Sequence, residues 1–235
     1  MTVKEIQQVL QAAGFDPGPA DGIRGRKTIM AIKEFQKAHG LAVDGVVDVK
    51  TAEKLFPSRP AENEHFSIPS AMPWLQEAFQ LIGTREKRGA GSNEAILGWA
   101  HDLEITSYDE DDIPWCGLFV AHCIGSQLLE ETLPGNPLGA RNWATFGTEA
   151  TPQLGAVLVF WRKSKDSGLG HVGFYWAEDD DTYYILGGNQ SDSVSIARLQ
   201  KDRLLAARWP DTVPNDVHIT RRAEANGQLI SQNEA

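Results

Sequence analysis

The chain predicts an α+β fold, with a small three-helix N-terminal domain and a larger domain of helices packed on an antiparallel sheet. Three observations carry this. Apolar residues recur at helical spacing through the first half of the chain. Short alternating β runs separated by turn residues begin at Gly155. A polar stretch with Pro57 and Pro60 and no periodicity interrupts the helical part. Helices first and an antiparallel sheet afterwards is the α+β order. At 235 residues the chain has room for two ordinary domains. The expected division is 1–57, a linker at 58–71, a second domain at 72–211 and a polar tail at 212–235.

In the first segment Ile6, Val9, Leu10 and Ala13 mark one helix, Ile29, Ile32 and Phe35 a second, and Ala52 and Leu55 a third. Gly14 and Gly40 stand where helices should stop. An internal repeat runs through the same segment. Asp21-Gly22 through Thr28 matches Asp44-Gly45 through Thr51 at an offset of 23, each Asp-Gly making a tight turn before a Thr at a helix start. Beyond the linker, Pro73 suits a first helical turn, and Trp74, Leu75, Ala78, Phe79 and Ile82 form a stripe. Asn93 caps a helix over 94–100. A further helix begins at Cys116 and is expected to run on to Leu128 and Leu129. Strands are expected at 156–162, 170–177, 182–187, 193–198 and 204–209.

Charge and hydropathy exclude several classes. The formal net charge is −10, and Lys and Arg form no run, so no nucleic-acid partner is expected. No stretch approaches the ~20 apolar residues of a membrane span, so no membrane insertion is expected. The first residues lack an apolar signal core. The expectation is therefore synthesis in the cytoplasm without a signal peptide. Cys116 and Cys123 are seven apart on one predicted helix, roughly 10 Å between Cα atoms, beyond disulfide reach. Both thiols are therefore read as free, Cys123 as a core residue.

Cys116 lies at a helix start after Pro114-Trp115, where unpaired backbone N–H groups favour thiolate. His171 opens a strand in Gly170-His171-Val172-Gly173, placed to take the thiol proton as general base. Such a base needs an orienting partner on its other nitrogen. The next strand ends in Gly187-Gly188-Asn189-Gln190. Asn189 is the first choice for that partner, with Gln190 and Asp192 as alternatives. Trp115 and Trp143 are candidates to line a substrate groove. The acidic loop 109–112 invites a calcium reading, against which stands its lack of alternating ligands and a Gly turn. No His/Cys cluster has zinc spacing, and no cofactor is expected.

Two resemblances follow from these residues. Leu10-x-x-x-Gly14-Phe15, Asp21-Gly22, Thr28, Phe35-Gln36, Gly40-Leu41, Asp44-Gly45 and Thr51 resemble the peptidoglycan-binding domain type 1, with Asp48 where the family usually has Gly. This implies a three-helix fold that docks on cell-wall glycopeptide, with Asp21, Arg24 and Asp44 beside the turns as candidate contacts. Pro114-Trp115-Cys116-Gly117-x-Phe119-Val120, Trp143, Pro152-x-x-Gly155-x-Val157-x-Val159-Phe160, Gly170-His171-Val172-Gly173 and Gly187-Gly188-Asn189 resemble a papain-like CHAP-type peptidase of the NlpC/P60 superfamily. That resemblance implies amide cleavage in peptidoglycan with Cys116, His171 and Asn189 as catalytic residues. Two positions depart from it: Gly187, where an acidic residue is frequent two places before the Asn, and Ala156, where Asp is frequent.

Together these imply an endolysin-like peptidoglycan hydrolase. It would cut an amide of the stem peptide, as endopeptidase or N-acetylmuramoyl-L-alanine amidase, through a Cys–His thioester. It is expected to act as a monomer on bacterial peptidoglycan, after release by lysis, a holin or a secretion machine. The alternatives are a catalytically silent wall-binding adaptor and a secreted antibacterial amidase of the type VI kind.

Overall fold

The computed structural model describes residues 3–22, 24, 26–43, 45, 47, 49–56, 68–87, 89–216 and 218–223. Asp44, Asp48 and residues 58–67 of the expected linker lie outside the described residues. The chain divides into two compact units, Met1–Thr84 and Arg85–Ala235. No helix among the described residues is long and apolar enough to cross a membrane.

The first unit contains α1 (Val3–Ala12), α2 (Arg26–Ala38), α3 (Val49–Leu55) and α4 (Pro73–Gln80). Its core is the apolar stripe read from the sequence: Ile6, Leu10, Ala31, Ile32, Phe35, Val47 and Leu55. The repeat has a physical basis that its spacing alone did not reveal. The Gln7 amide accepts from the Gly22 N–H at 2.8 Å and donates to the Thr28 hydroxyl at 3.1 Å. The Gln36 amide accepts from the Gly45 N–H at 2.8 Å and donates to Thr51 at 3.3 Å. Both glutamines and both threonines are buried. Gly22 and Gly45 adopt φ of 87° and 82°, where a side chain is disfavoured. Each amide closes a turn and a helix start with one side chain. This satisfies backbone groups that would otherwise be buried without partners.

The second unit holds α5 (Glu94–Asp102), α6 (Cys116–Gly125) and a six-stranded antiparallel sheet. Its strands are β1 (Thr148–Glu149), β2 (Val157–Trp161), β3 (Gly170–Glu178), β4 (Thr182–Gly187), β5 (Ser195–Gln200) and β6 (Leu204–Trp209). The order across the sheet is β1-β6-β2-β3-β4-β5. Asn93 caps α5 as expected, its side chain accepting from the Ala95 N–H at 2.8 Å. The α6 helix packs on β3 through Phe119 and Phe174, rings 6.1 Å apart and edge to face. On its other side His122 stacks on Trp99 of α5 at 5.0 Å, which accounts for that histidine.

Three expectations are corrected. The second domain was expected from residue 72, but α4 belongs to the first unit: Glu77 pairs with Arg24 at 2.9 Å, and Gln80 donates to the Val47 carbonyl at 2.9 Å. The helix from Cys116 ends at Gly125 and does not reach Leu129, which is 84% exposed. The described part of the expected polar tail is tied down. Thr212 donates to Glu131, the Ile219 carbonyl accepts from Leu154, and Glu178 exchanges backbone bonds with Arg221 and Ala223. Polar composition hid this because the ties are mostly through backbone.

Candidate active site

Cys116 is the first residue of α6, and Trp115 caps it without a side-chain hydrogen bond. The first amides of the helix are therefore left to the sulfur. N–H groups of Cys116 and Gly117 face Sγ, and so does the N–H of Val172 on β3. The helix start is wedged tightly in place, since a side chain at Gly117 would collide with the Pro137 and Leu138 carbonyls. The thiol is only 4% exposed. Burial pushes it above its ordinary value, and the N–H groups with the Arg162 charge do not overcome that. Burial thus works against the thiolate that the helix-start N–H groups favour.

His171, beside Val172 on β3, is fully buried. Its Nε2 lies 3.1 Å from Gln190 Oε1. The orientation of that amide follows from its other end. Gln190 Nε2 donates to the carbonyls of Ile185, Gly187 and Ser195, which only an NH₂ group can do. The oxygen therefore faces the imidazole, the imidazole proton sits on Nε2, and Nδ1 is the basic nitrogen.

A tight reversal aims Gln190 this way. Asn189, Ser191 and Asp192 have φ of 55°, 52° and 59°, conformations that Asn and Asp tolerate best. The reversal is latched by Gln190 N–H to the Ser193 carbonyl at 2.9 Å, and by Ser193 Oγ to the Gln190 carbonyl at 2.9 Å. Gly187 makes room for the pair. A Cβ there would lie 3.0 Å from Gln190 Oε1 and 3.2 Å from His171 Nε2. The missing acidic residue at Gly187 is thus matched by an amide arriving from three positions later.

The expected third residue, Asn189, turns elsewhere. Its Nδ2 donates to Glu86 Oε1 at 2.9 Å, and the same oxygen accepts the Trp115 indole N–H at 2.7 Å. Asn189 Oδ1 is buried with no partner among the described residues. Such an acceptor costs about 1–3 kcal/mol. Glu86 escaped the sequence reading. It lies 103 positions from Asn189 and 29 from Trp115, and no local pattern surrounds it. Burial, then the charges of Asp192, Asp111 and Asp112, raise its carboxyl above the usual value, while the Trp115 bond lowers it.

The remaining expected residues are placed as follows. Trp115 is fully buried with its N–H committed to Glu86, so it shapes the site from behind. A side chain at Gly188 would strike its ring at 2.6 Å. Trp143 lines no groove. It is fully buried, donates to the Pro137 carbonyl at 2.9 Å and packs on Phe146. Arg24 is a clamp inside the first unit, bonded to both Glu77 oxygens and to the Gly45 carbonyl at 2.9 Å. Asp21 is exposed and accepts from Gln7 at 3.0 Å. Asp44 lies outside the described residues. In the acidic loop, Asp111 is buried and accepts the Lys87 and Asn93 N–H groups at 2.9 and 2.7 Å.

Residues 2–55 match the family model of a putative peptidoglycan binding domain, and residues 108–189 match that of the CHAP domain. The CHAP match contains Cys116 and His171 and stops one residue short of Gln190. The chain therefore fuses a peptidoglycan-binding domain to a CHAP domain.

Proposed function

We propose, for a chain that joins a peptidoglycan-binding domain to a CHAP domain, that it hydrolyses an amide bond of the cell-wall stem peptide. The single observation that carries the reading is the His171 Nε2 to Gln190 Oε1 bond on the strand whose next residue, Val172, turns its N–H to the helix-start thiol. Nδ1 of His171 takes the Cys116 proton as Sγ attacks the amide carbonyl carbon. The oxyanion forms where the first N–H groups of α6 point, at Cys116 itself. His171 then returns the proton to the leaving amine, and a thioester remains. Water, deprotonated by the same Nδ1, cleaves the thioester and restores the thiol.

Gln190 serves as orienting group. A neutral amide fixes the tautomer as an Asn or carboxylate would, though it offers the imidazolium less charge compensation. The wall-binding domain raises the effective concentration of the catalytic unit at its polymer substrate. The bond cut is either within the stem peptide or at the muramoyl-alanine junction, and the products distinguish the two.

The test is digestion of purified sacculi by wild type and Cys116→Ala, with soluble products identified by mass spectrometry. Wild type should release fragments with new amino and carboxyl termini, and Cys116→Ala should lower release by roughly 10⁴-fold or more while still pelleting with the sacculi. If neither protein released anything and both pelleted, the chain would be a wall-binding adaptor.

A further inference from the structure

We propose that Glu86 is a positioning residue of the catalytic centre, holding the nucleophile's helix start and the reversal that carries Gln190 in place relative to each other. Cys116 opens α6, and Gln190 lies on the reversal after β4. One carboxylate oxygen meets the residue before each. Glu86 Oε1 accepts the Trp115 indole N–H at 2.7 Å and Asn189 Nδ2 at 2.9 Å. Trp115 directly precedes Cys116, and Asn189 directly precedes Gln190. A carboxylate oxygen has room for two donors, and its charge strengthens both bonds.

Both elements need a tie from outside. Trp115 caps α6 without a side-chain hydrogen bond, so the helix start lacks the usual polar anchor. The bond to Glu86 supplies one, on an indole that is fully buried. In the reversal, Asn189, Ser191 and Asp192 hold positive φ, and such backbone persists only where its surroundings over-determine it. The Glu86 segment does that. Glu86 N–H donates to the Asp192 carbonyl at 3.0 Å, and Arg85 forms an antiparallel bridge with Ser193.

The segment is itself fixed from the other side. The Arg85 carbonyl accepts Asn93 Nδ2 at 2.6 Å, and Asp111 accepts the Lys87 N–H at 2.9 Å. Asn93 in turn caps α5. Glu86 lies ahead of residues 108–189, which match the CHAP family model. It acts through Trp115 and the reversal, not on the thiol or the imidazole. Asn189 is one of three ties on the reversal, so the other two absorb its loss. Trp115 has a single N–H, and Glu86 holds it. The role belongs to the oxygen and not to the charge. An amide at 86 keeps that oxygen, and the charges of Asp192, Asp111 and Asp112 favour an NH₂ beside it.

The test compares full-length wild type with Glu86→Leu, Glu86→Asp and Glu86→Gln, well below the Tm of each. One readout is kcat and KM on muropeptides. The other is the pH midpoint of iodoacetamide alkylation, located at Cys116 by peptide mass spectrometry. Glu86→Leu removes the acceptor, and Glu86→Asp withdraws it by one methylene. Both should lower kcat, the first about 10²-fold, with little change in KM. Both should also move the alkylation midpoint upward, as Gln190→Leu should, because a misplaced His171 takes the thiol proton less well. Glu86→Gln should restore both readouts. A fall in Tm alone, with kcat and midpoint at wild-type values in Glu86→Leu and Glu86→Asp, overturns the proposal. So does Glu86→Asp outperforming Glu86→Gln, which would assign the role to the charge. If Glu86→Leu does not fold, the Asp and Gln chains carry the same comparison. The kcat arm rests on the hydrolase reading above and the alkylation arm does not. A chain silent on sacculi whose midpoint still moves would keep the positioning role and lose the hydrolysis.

Discussion

In the first unit Gln7 and Gln36 spend both ends of the amide on the fold, each tying a turn glycine to a helix-start threonine. In the second, Gln190 spends its nitrogen on three backbone carbonyls and presents its oxygen to an imidazole. The group is the same and so is the burial. What differs is whether the second end closes on structure or on a reactive side chain. A buried amide pinned at one end is a rigid pointer, because its planar geometry fixes where the other atom lies. Stability and positioning are therefore separable here, and substitution at each glutamine should separate them.

The largest effect is expected at Gln190. Gln190→Leu removes the acceptor that fixes the His171 tautomer, and turnover on muropeptides should fall roughly 10²- to 10⁴-fold with a smaller change in KM. Asn189→Ala should leave kcat largely intact, since its amide meets Glu86 and not the imidazole. The opposite pattern, with kcat lost at Asn189 and kept at Gln190, would return the orienting role to Asn189. Gln190→Glu keeps the oxygen near His171 but sets a carboxylate against the carbonyls of Ile185, Gly187 and Ser195. It should lower the Tm as well as the rate.

The next effect is one of stability alone. Gln36→Leu leaves the Gly45 N–H and the Thr51 hydroxyl without their side-chain partner, at a cost of about 2–4 kcal/mol. Calorimetry should show an earlier transition for the first unit and weaker pelleting with sacculi. Hydrolysis of soluble muropeptides should be retained. Loss of soluble turnover in a protein whose second unit is still folded would break the separation drawn between the two glutamines.

The smallest effect concerns Glu86 and pH. Its carboxyl sits above the ordinary value near 4.5, with burial the leading cause. The folded state therefore binds a proton more tightly than the unfolded chain. The stability this contributes is complete below that ordinary value and is lost as pH rises through the folded one. Glu86→Gln has no such loss, so its Tm advantage over wild type should be small near pH 4 and larger at pH 7. A wild type more stable than the variant at pH 7 would show that the ionised carboxylate holds Trp115 and Asn189 better than an amide does.

Much of the molecule could be read in advance for local reasons. The stripe Ile6, Leu10, Ile32 and Phe35 has helical period, and the runs that became β2 to β6 alternate between Gly and Asp turns. Cys116 declares a helix start through Pro114-Trp115, and His171 declares a strand start through its flanking glycines. The Leu128-Leu129 extension failed because an apolar pair after Gly125 looks helical whether or not it is buried. Arg24 looked like a surface contact because its partner, Glu77, lies 53 positions away.

The sequence alone determined the order of helices then sheet, the helical stripe of the first unit and the wall-binding and CHAP resemblances, and it set Cys116 at a helix start and His171 at a strand start. Each of these depends on spacing within a few turns or on a residue type at an element's end. Only the tertiary structure decided which of three neighbouring polar residues meets His171, where Asn189 goes instead, and whether burial or the helix start governs the thiol. A single reversal of backbone dihedrals at 189–192 settles the first two by swinging adjacent side chains to opposite partners. The third is a balance of desolvation against N–H donors, one of them on a strand 56 residues away, that exists only once helix and sheet have closed on each other.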